Sequence, residues 1–129
     1  MPIANTDPAT AVTTYLAEFY RGDFERAREV VAEDFSFEGP FLQVQGKEAF
    51  FEGAEGLRQI VRGHRLIQQW IDGDEVSSLY EVDIHTPHGQ GALLMSEWHS
   101  VQFGQLVRGR VVFDTVPFRS LMAPPDVEN

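Results

Sequence analysis

The sequence contains no cysteine, which excludes disulfides, thiolate metal sites and thiol nucleophiles together. It has no apolar run approaching the roughly 20 residues that a membrane-spanning helix needs. Its opening stretch, Met1 to Asp7, has neither the basic region nor the apolar segment of a secretion signal. Positive charge is scarce as well: ten Lys and Arg stand against twenty Asp and Glu, for a net charge of −10. Nucleic acids and anionic membranes are both held by cationic side chains, so neither is an expected partner. The acidity reads as a soluble, self-repelling surface. Together these absences describe a cytoplasmic enzyme or binding protein.

What the chain does have is one domain's worth of core. Its 129 residues are 43% apolar, enough for a single hydrophobic interior without staples. Asp7-Pro8 is a helix start, and Val12, Tyr15, Leu16 and Phe19 recur at i, i+3, i+4 and i+7 as one apolar stripe. Arg21-Gly22 ends that helix, and Asp23 caps a second, short one carrying Phe24, Ala27, Val30 and Val31. Residues Asp34 to Glu38 alternate as a short strand that stops at Gly39-Pro40. Phe50, Ala54, Leu57 and Val61 mark a third helix, which contains Gly53 and Gly56. Each glycine weakens it by about 1 kcal/mol relative to alanine, so the backbone there either meets a neighbour closely or frays.

From His64 onward the period becomes two. Four strands follow, His64–Ile71, Glu75–His85, Gly91–Phe103 and Leu106–Val116, separated by Asp72-Gly73-Asp74, Pro87-His88-Gly89 and Gly104. Such short connections make antiparallel neighbours. Helices first and a meander of long strands after them define an α+β fold, with three N-terminal helices packed on one curved antiparallel sheet. The first short strand is expected at its edge, and residues 119–129 as a loose C-terminal tail.

The succession of landmarks resembles a known family. Tyr15-Leu16-Ala17-Glu18-Phe19-Tyr20-Arg21-Gly22-Asp23-Phe24, then Phe37-Glu38-Gly39-Pro40, Gly46-Lys47-Glu48-Ala49-Phe50 and Asp72-Gly73-Asp74-Glu75-Val76 are similar to the SnoaL-like proteins. Glu97-Trp98 and Val111-Val112-Phe113-Asp114 complete the pattern of this polyketide-cyclase branch of the nuclear transport factor 2-like superfamily. The resemblance runs over 7–118. It implies a cone-shaped fold with a cavity between the helices and the concave sheet face, and a homodimer. Because the superfamily contains isomerases, cyclases, epoxide hydrolases and plain binders, it implies no single reaction.

Steroid isomerases of the superfamily use a tyrosine of the first helix and a protonated acid as oxyanion donors, with an aspartate base beside the first strand. Tyr15 stands in the tyrosine's place and Glu97 near the acid's, whereas Gly39 replaces the base. In the epoxide hydrolases an aspartate follows an arginine on the last strand; here Val111 follows Arg110. Independently of the resemblance, alternation puts Leu93, Met95, Glu97, His99, Val101 and Phe103 on one strand face. A carboxyl and an imidazole two residues apart on an apolar face must be paired or neutral, which suits acid/base work. The same arrangement also suits a face covered by a dimer partner. The four histidines have no metal-ligand spacing, and Gly89-Gln90-Gly91 feeds a strand rather than the helix a dinucleotide site requires, so no metal or cofactor is expected.

The candidate catalytic residues are therefore Glu97, Tyr15 and His99. The residues expected to line the pocket with them are Phe19, Phe37, Phe50, Trp70 and Met95. The expected ligand is a small apolar or cyclic molecule, either transformed by acid/base chemistry as in a cofactor-independent isomerase or cyclase, or simply bound. Leu94, Trp98 and Val112 would form an outer apolar face covered by a second copy.

Overall fold

The computed structural model describes residues 7–122. The first helix, α1 (Pro8–Arg21), begins where the Asp7 carboxylate accepts the Thr10 amide at 2.8 Å. It ends at Gly22, whose φ of 89° only glycine adopts readily. Its stripe of Ala11, Val12, Tyr15, Leu16 and Phe19 is buried. Asp23 then caps α2 (Phe24–Arg28) through the Arg26 amide.

The strands β1 (Val31–Glu38), β2 (Gln43–Gln45), β3 (Val61–Asp72), β4 (Glu75–Thr86), β5 (Gly89–Gln102) and β6 (Gln105–Phe113) form one sheet in the order β2-β1-β6-β5-β4-β3. All neighbours are antiparallel except β1 and β6, which run parallel. α1 lies across β3 to β6, and α3 (Lys47–Ala54) lies against β1. Between them Tyr15, Phe19, Phe24, Phe35, Phe50 and Phe51 pack ring on ring, and this aromatic wedge is the centre of the core.

The architecture is the expected one, with local differences. The first short strand does not take the edge: β2 adds outside β1, and β1 begins at Val31 rather than Asp34. α3 stops at Ala54 and tightens into a 3₁₀ segment, Glu55–Gln59. The two glycines resolve differently. A Cβ on Gly53 would lie 2.8 Å from Leu42 Cδ1, a close approach, whereas Gly56 faces open space. A fourth helix, α4 (Thr115–Met122), follows β6, started by the Asp114 carboxylate accepting the Val116 amide. It crosses the point after Phe118 where a tail is expected, and its Leu121 is buried against the glycines of β5. The rest of that tail, 123–129, lies outside the described residues.

Trp70 is the main correction. Val82 pairs with His64 and Tyr80 with Leu66, but Leu79 pairs with Gln68, so β3 carries one extra residue at Ile67. Such a bulge reverses the side-chain parity beyond it. Trp70 consequently sits opposite Ser77 and, one strand further, Trp98, on the outer face, where it is 55% exposed.

The turn between β5 and β6 consists of Phe103 and Gly104, both with positive φ (52° and 76°), as a two-residue hairpin turn requires. Phe103 adopts this left-handed conformation while 84% exposed, so no packing offsets a backbone cost of about 1–2 kcal/mol. Replacing it by asparagine, which tolerates that conformation, is expected to raise stability by about 1 kcal/mol in urea denaturation. An unchanged or lower midpoint would mean that the aromatic ring stabilises the turn.

Candidate active site

A cavity of about 200 Å³ opens between the helices and the concave sheet face. α1 contributes Tyr15, Phe19 and Tyr20; β1 contributes Phe37; α3 contributes Phe50, Gly53 and Ala54. The loop from Gly39 to Leu42 and the α4 residue Phe118 form its outer end, where Phe41 stacks on Phe118 at 5.3 Å. Met95 and Glu97 of β5, with Val111 and Phe113 of β6, make the sheet side. No Lys, Arg or His is among the lining residues.

Five expected residues besides Glu97 thus meet at the cavity: Tyr15, Phe19, Phe37, Phe50 and Met95. Trp70 does not, and His99 lies behind the wall, fully buried between the rings of Tyr15 and Phe35. Glu97 keeps the parity expected for it because β5 pairs with β4 without interruption from Gly89 to Ser100, so Ser78, Glu97 and Val111 share the inner face.

Only 3% of Glu97 is exposed, and its two oxygens have different surroundings. The Tyr80 hydroxyl donates a short hydrogen bond to Oε1, and the Tyr20 hydroxyl lies 2.8 Å from that of Tyr80. Oε2 is 3.0 Å from His99 Nε2, near enough for ion pairing. The two atoms are not aligned for a hydrogen bond, however, and both remain without one, as does His99 Nδ1. The contact is close without being a hydrogen bond, which depends on angle as well as distance.

Burial, then the charge of Glu97, pushes the Tyr15 hydroxyl well above the usual phenol range. The same two causes raise Tyr80 and Tyr20, and for Tyr20 the hydrogen bond with Tyr80 works in the opposite direction. All three phenols therefore keep their protons at neutral pH. His64 stacks on Tyr20 with ring centres 5.1 Å apart, and its Nε2 is buried without a partner. Burial lowers its pKa from the ordinary value of 6.5, partly countered by Glu97, while Arg65 lowers it further.

Sequence reasoning missed Tyr20 and Tyr80. Tyr20 is off the apolar stripe of α1, one residue beyond Phe19, and reaches the cavity from the helix's last turn. The position of Tyr80 was readable, since it alternates in phase with Val76, Ser78 and Val82 on β4. A larger, open groove of about 670 Å³ on the outer face is lined by Ser36, Glu38, Trp98, Arg108 and Arg110. Its charged residues are all exposed, whereas the buried carboxyl of Glu97 lies at the smaller cavity. Among the described residues no group of three or more His, Asp or Glu is placed to hold a metal ion.

The sequence profile of the SnoaL-like domain matches residues 12–113, and the chain belongs to that family. No curated protein matches the sequence. Solved structures match along nearly the whole chain. A protein from Kribbella flavida is 21% identical, with a TM-score of 0.80, over 92% of this chain and 95% of its own. TerC, crystallised with polyporic acid, is 20% identical at a TM-score of 0.77, covering 89% and 97%. A protein provisionally named a polyketide cyclase, from Xanthomonas campestris, is 18% identical at 0.75, covering 93% and 99%. At these identities the likeness establishes the nuclear transport factor 2-like fold.

Two outcomes test this geometry. A Cβ on Gly109 would lie 2.8 Å from His99 Cδ2 and 3.1 Å from Phe35 Cζ. Gly109→Ala is therefore expected to cost about 1–3 kcal/mol in urea denaturation, and a neutral result would show that His99 is free to move. The depressed His64 also carries a sign. The unfolded chain accepts a proton there that the folded chain refuses, so stability is lost as pH falls below about 6.5. His64→Phe should flatten that acid-side loss relative to the parent, whereas parallel stability–pH curves would contradict the burial of His64.

Proposed function

We propose that the protein is a cofactor-independent enzyme of isomerase or cyclase type, acting by proton transfer on a small cyclic or polyketide-like molecule. The observation that carries this reading is the buried Glu97 carboxyl on the wall of an aromatic cavity that also contains the Tyr15 hydroxyl. Glu97 is the proton-transfer group, and Tyr15 donates to the oxygen on which negative charge develops. His99 holds Glu97 from behind. Phe19, Phe37, Phe50 and Met95 give the ligand a flat apolar bed. Relatives in fold that carry cyclase and isomerase names support the class of reaction.

One observation favours a second reading, a binder without catalysis. A Cβ on Gly39 would lie 2.9 Å from Val111 Cγ1, so there is no room for a second carboxylate where the isomerases place their base. Glu97 would then have to act without that partner. Identifying a retained ligand by native mass spectrometry, then assaying its conversion, separates the readings. For an enzyme, Glu97→Gln should lower kcat at least about 100-fold and leave ligand affinity within about threefold. Full activity in that variant would leave Glu97 a structural residue.

The working unit in this proposal is the segment 7–118 extended to the end of α4, acting in the cytoplasm as a homodimer. Leu94 and Val112 are 54% and 56% exposed on the outer sheet face, beside Trp70 and the partly buried Trp98. A second copy related by a two-fold axis would cover that apolar patch. Among the described residues no helix is long and apolar enough to cross a membrane. Sedimentation at tens of micromolar is expected to give a dimer, and a monomer there would contradict the pairing.

A further inference from the structure

Oε1 of Glu97 already accepts the Tyr80 hydroxyl, and Oε2 is sealed from solvent beside His99. Besides Glu97 itself, a ligand in the cavity meets Tyr20, whose hydroxyl lies 2.8 Å from that of Tyr80. We infer that Glu97 acts on the cavity through Tyr80 and Tyr20, a two-tyrosine relay whose ligand-facing end accepts the hydroxyl proton of a neutral phenol or enol. This rests on the acid/base reading above and names both its route and its substrate class.

Counting protons gives the relay its direction. An ionised carboxylate only accepts, so the single Tyr80 proton points to Glu97. The Tyr80 oxygen then accepts the single Tyr20 proton, which leaves Tyr20 a lone pair, and no proton, for the cavity. A ligand hydroxyl therefore docks as a donor. Passing its proton to Tyr20, that of Tyr20 to Tyr80 and that of Tyr80 to Glu97 moves one proton and one negative charge and breaks no other bond. Afterwards every hydroxyl in the chain points the other way, and Tyr20 donates to the oxyanion just formed. Tyr20 and Tyr80 need never rest as phenolates, consistent with the burial that holds both protonated. No Lys, Arg or His is among the described lining residues, so no cationic side chain there offsets the charge of an entering anion, and His64, stacked on Tyr20 behind that lining, is held toward its neutral form by burial; the ligand therefore enters uncharged.

The test uses 4-nitrophenol, whose neutral and ionised forms absorb at different wavelengths, and follows the bound probe across pH. The parent protein is expected to bind the neutral form and to raise the probe's apparent pKa above its value in solution. In Glu97→Gln the amide N–H can donate to Tyr80, which reverses the chain and turns the Tyr20 proton toward the cavity. The bound probe should then ionise about one unit lower than in the parent, a tenfold change. In a Tyr80→Phe background, where Glu97 acts on the probe through space alone, the same Glu97→Gln change should shift it by less than about half as much in pH units. Tyr20→Phe, which leaves the Tyr80–Glu97 bond in place, should likewise reduce the response and covers the case in which Tyr80→Phe fails to fold. An equal shift with and without Tyr80 or Tyr20 would overturn the relay, as would failure of the probe to bind at millimolar concentration. Turnover is not read, so a relay that works in a protein without activity separates this inference from the enzyme reading.

Discussion

A carboxylate that has left water must be compensated where it stands, and in this protein the surroundings of Glu97 are organised by that need. The penalty for burying one ion is several kcal/mol even after relaxation. One charge-assisted hydrogen bond, from Tyr80, returns about 1.5–3 kcal/mol and does not cover it alone. The imidazole of His99 lies 3.0 Å from the other oxygen, and its own place depends on Gly109, which leaves room for the ring beneath β6. Tyr20 extends the same set to α1. A helix, two strands and a glycine of a third thus converge on a single side chain.

The cavity exists because the rest of the interior is filled so differently. The rings of Phe19, Phe24, Phe50 and Phe51 pack against one another and join α1, α2 and α3. The cavity lies beside them, with the loop from Gly39 to Leu42 and the α4 residue Phe118 at its outer end, where Phe41 and Phe118 meet. Apolar walls make the polar end more consequential, since electrostatic interactions strengthen as water is excluded.

Most of the fold was legible in the sequence because its elements follow their periods cleanly. The α1 stripe is regular between a capping aspartate and a left-handed glycine, and β4 and β5 alternate without a break over most of their length. That unbroken alternation carries Glu97 and Met95 to the inner face. Trp70 escapes the same counting, because the extra residue at Ile67 shifts every later side chain of β3 to the other face. A bulge leaves no mark in composition, so parity counted through it fails. α4 was hidden by Pro117 and by its closeness to the end of β6, although Asp114 two residues before Val116 was a readable start signal. The tyrosine chain joins three elements distant in sequence, and only the folded arrangement brings Tyr20 and Tyr80 together.

The central claim is that Glu97 is buried and joined to the cavity by hydroxyl protons pointing toward it. A neutron crystal structure of the deuterated protein at neutral pH locates those protons directly. The account predicts a deuteron on Tyr80 aimed at Glu97 Oε1, a deuteron on Tyr20 aimed at Tyr80, and none on the carboxylate. A deuteron on Glu97, or a Tyr20 hydroxyl pointing into the cavity, would contradict it.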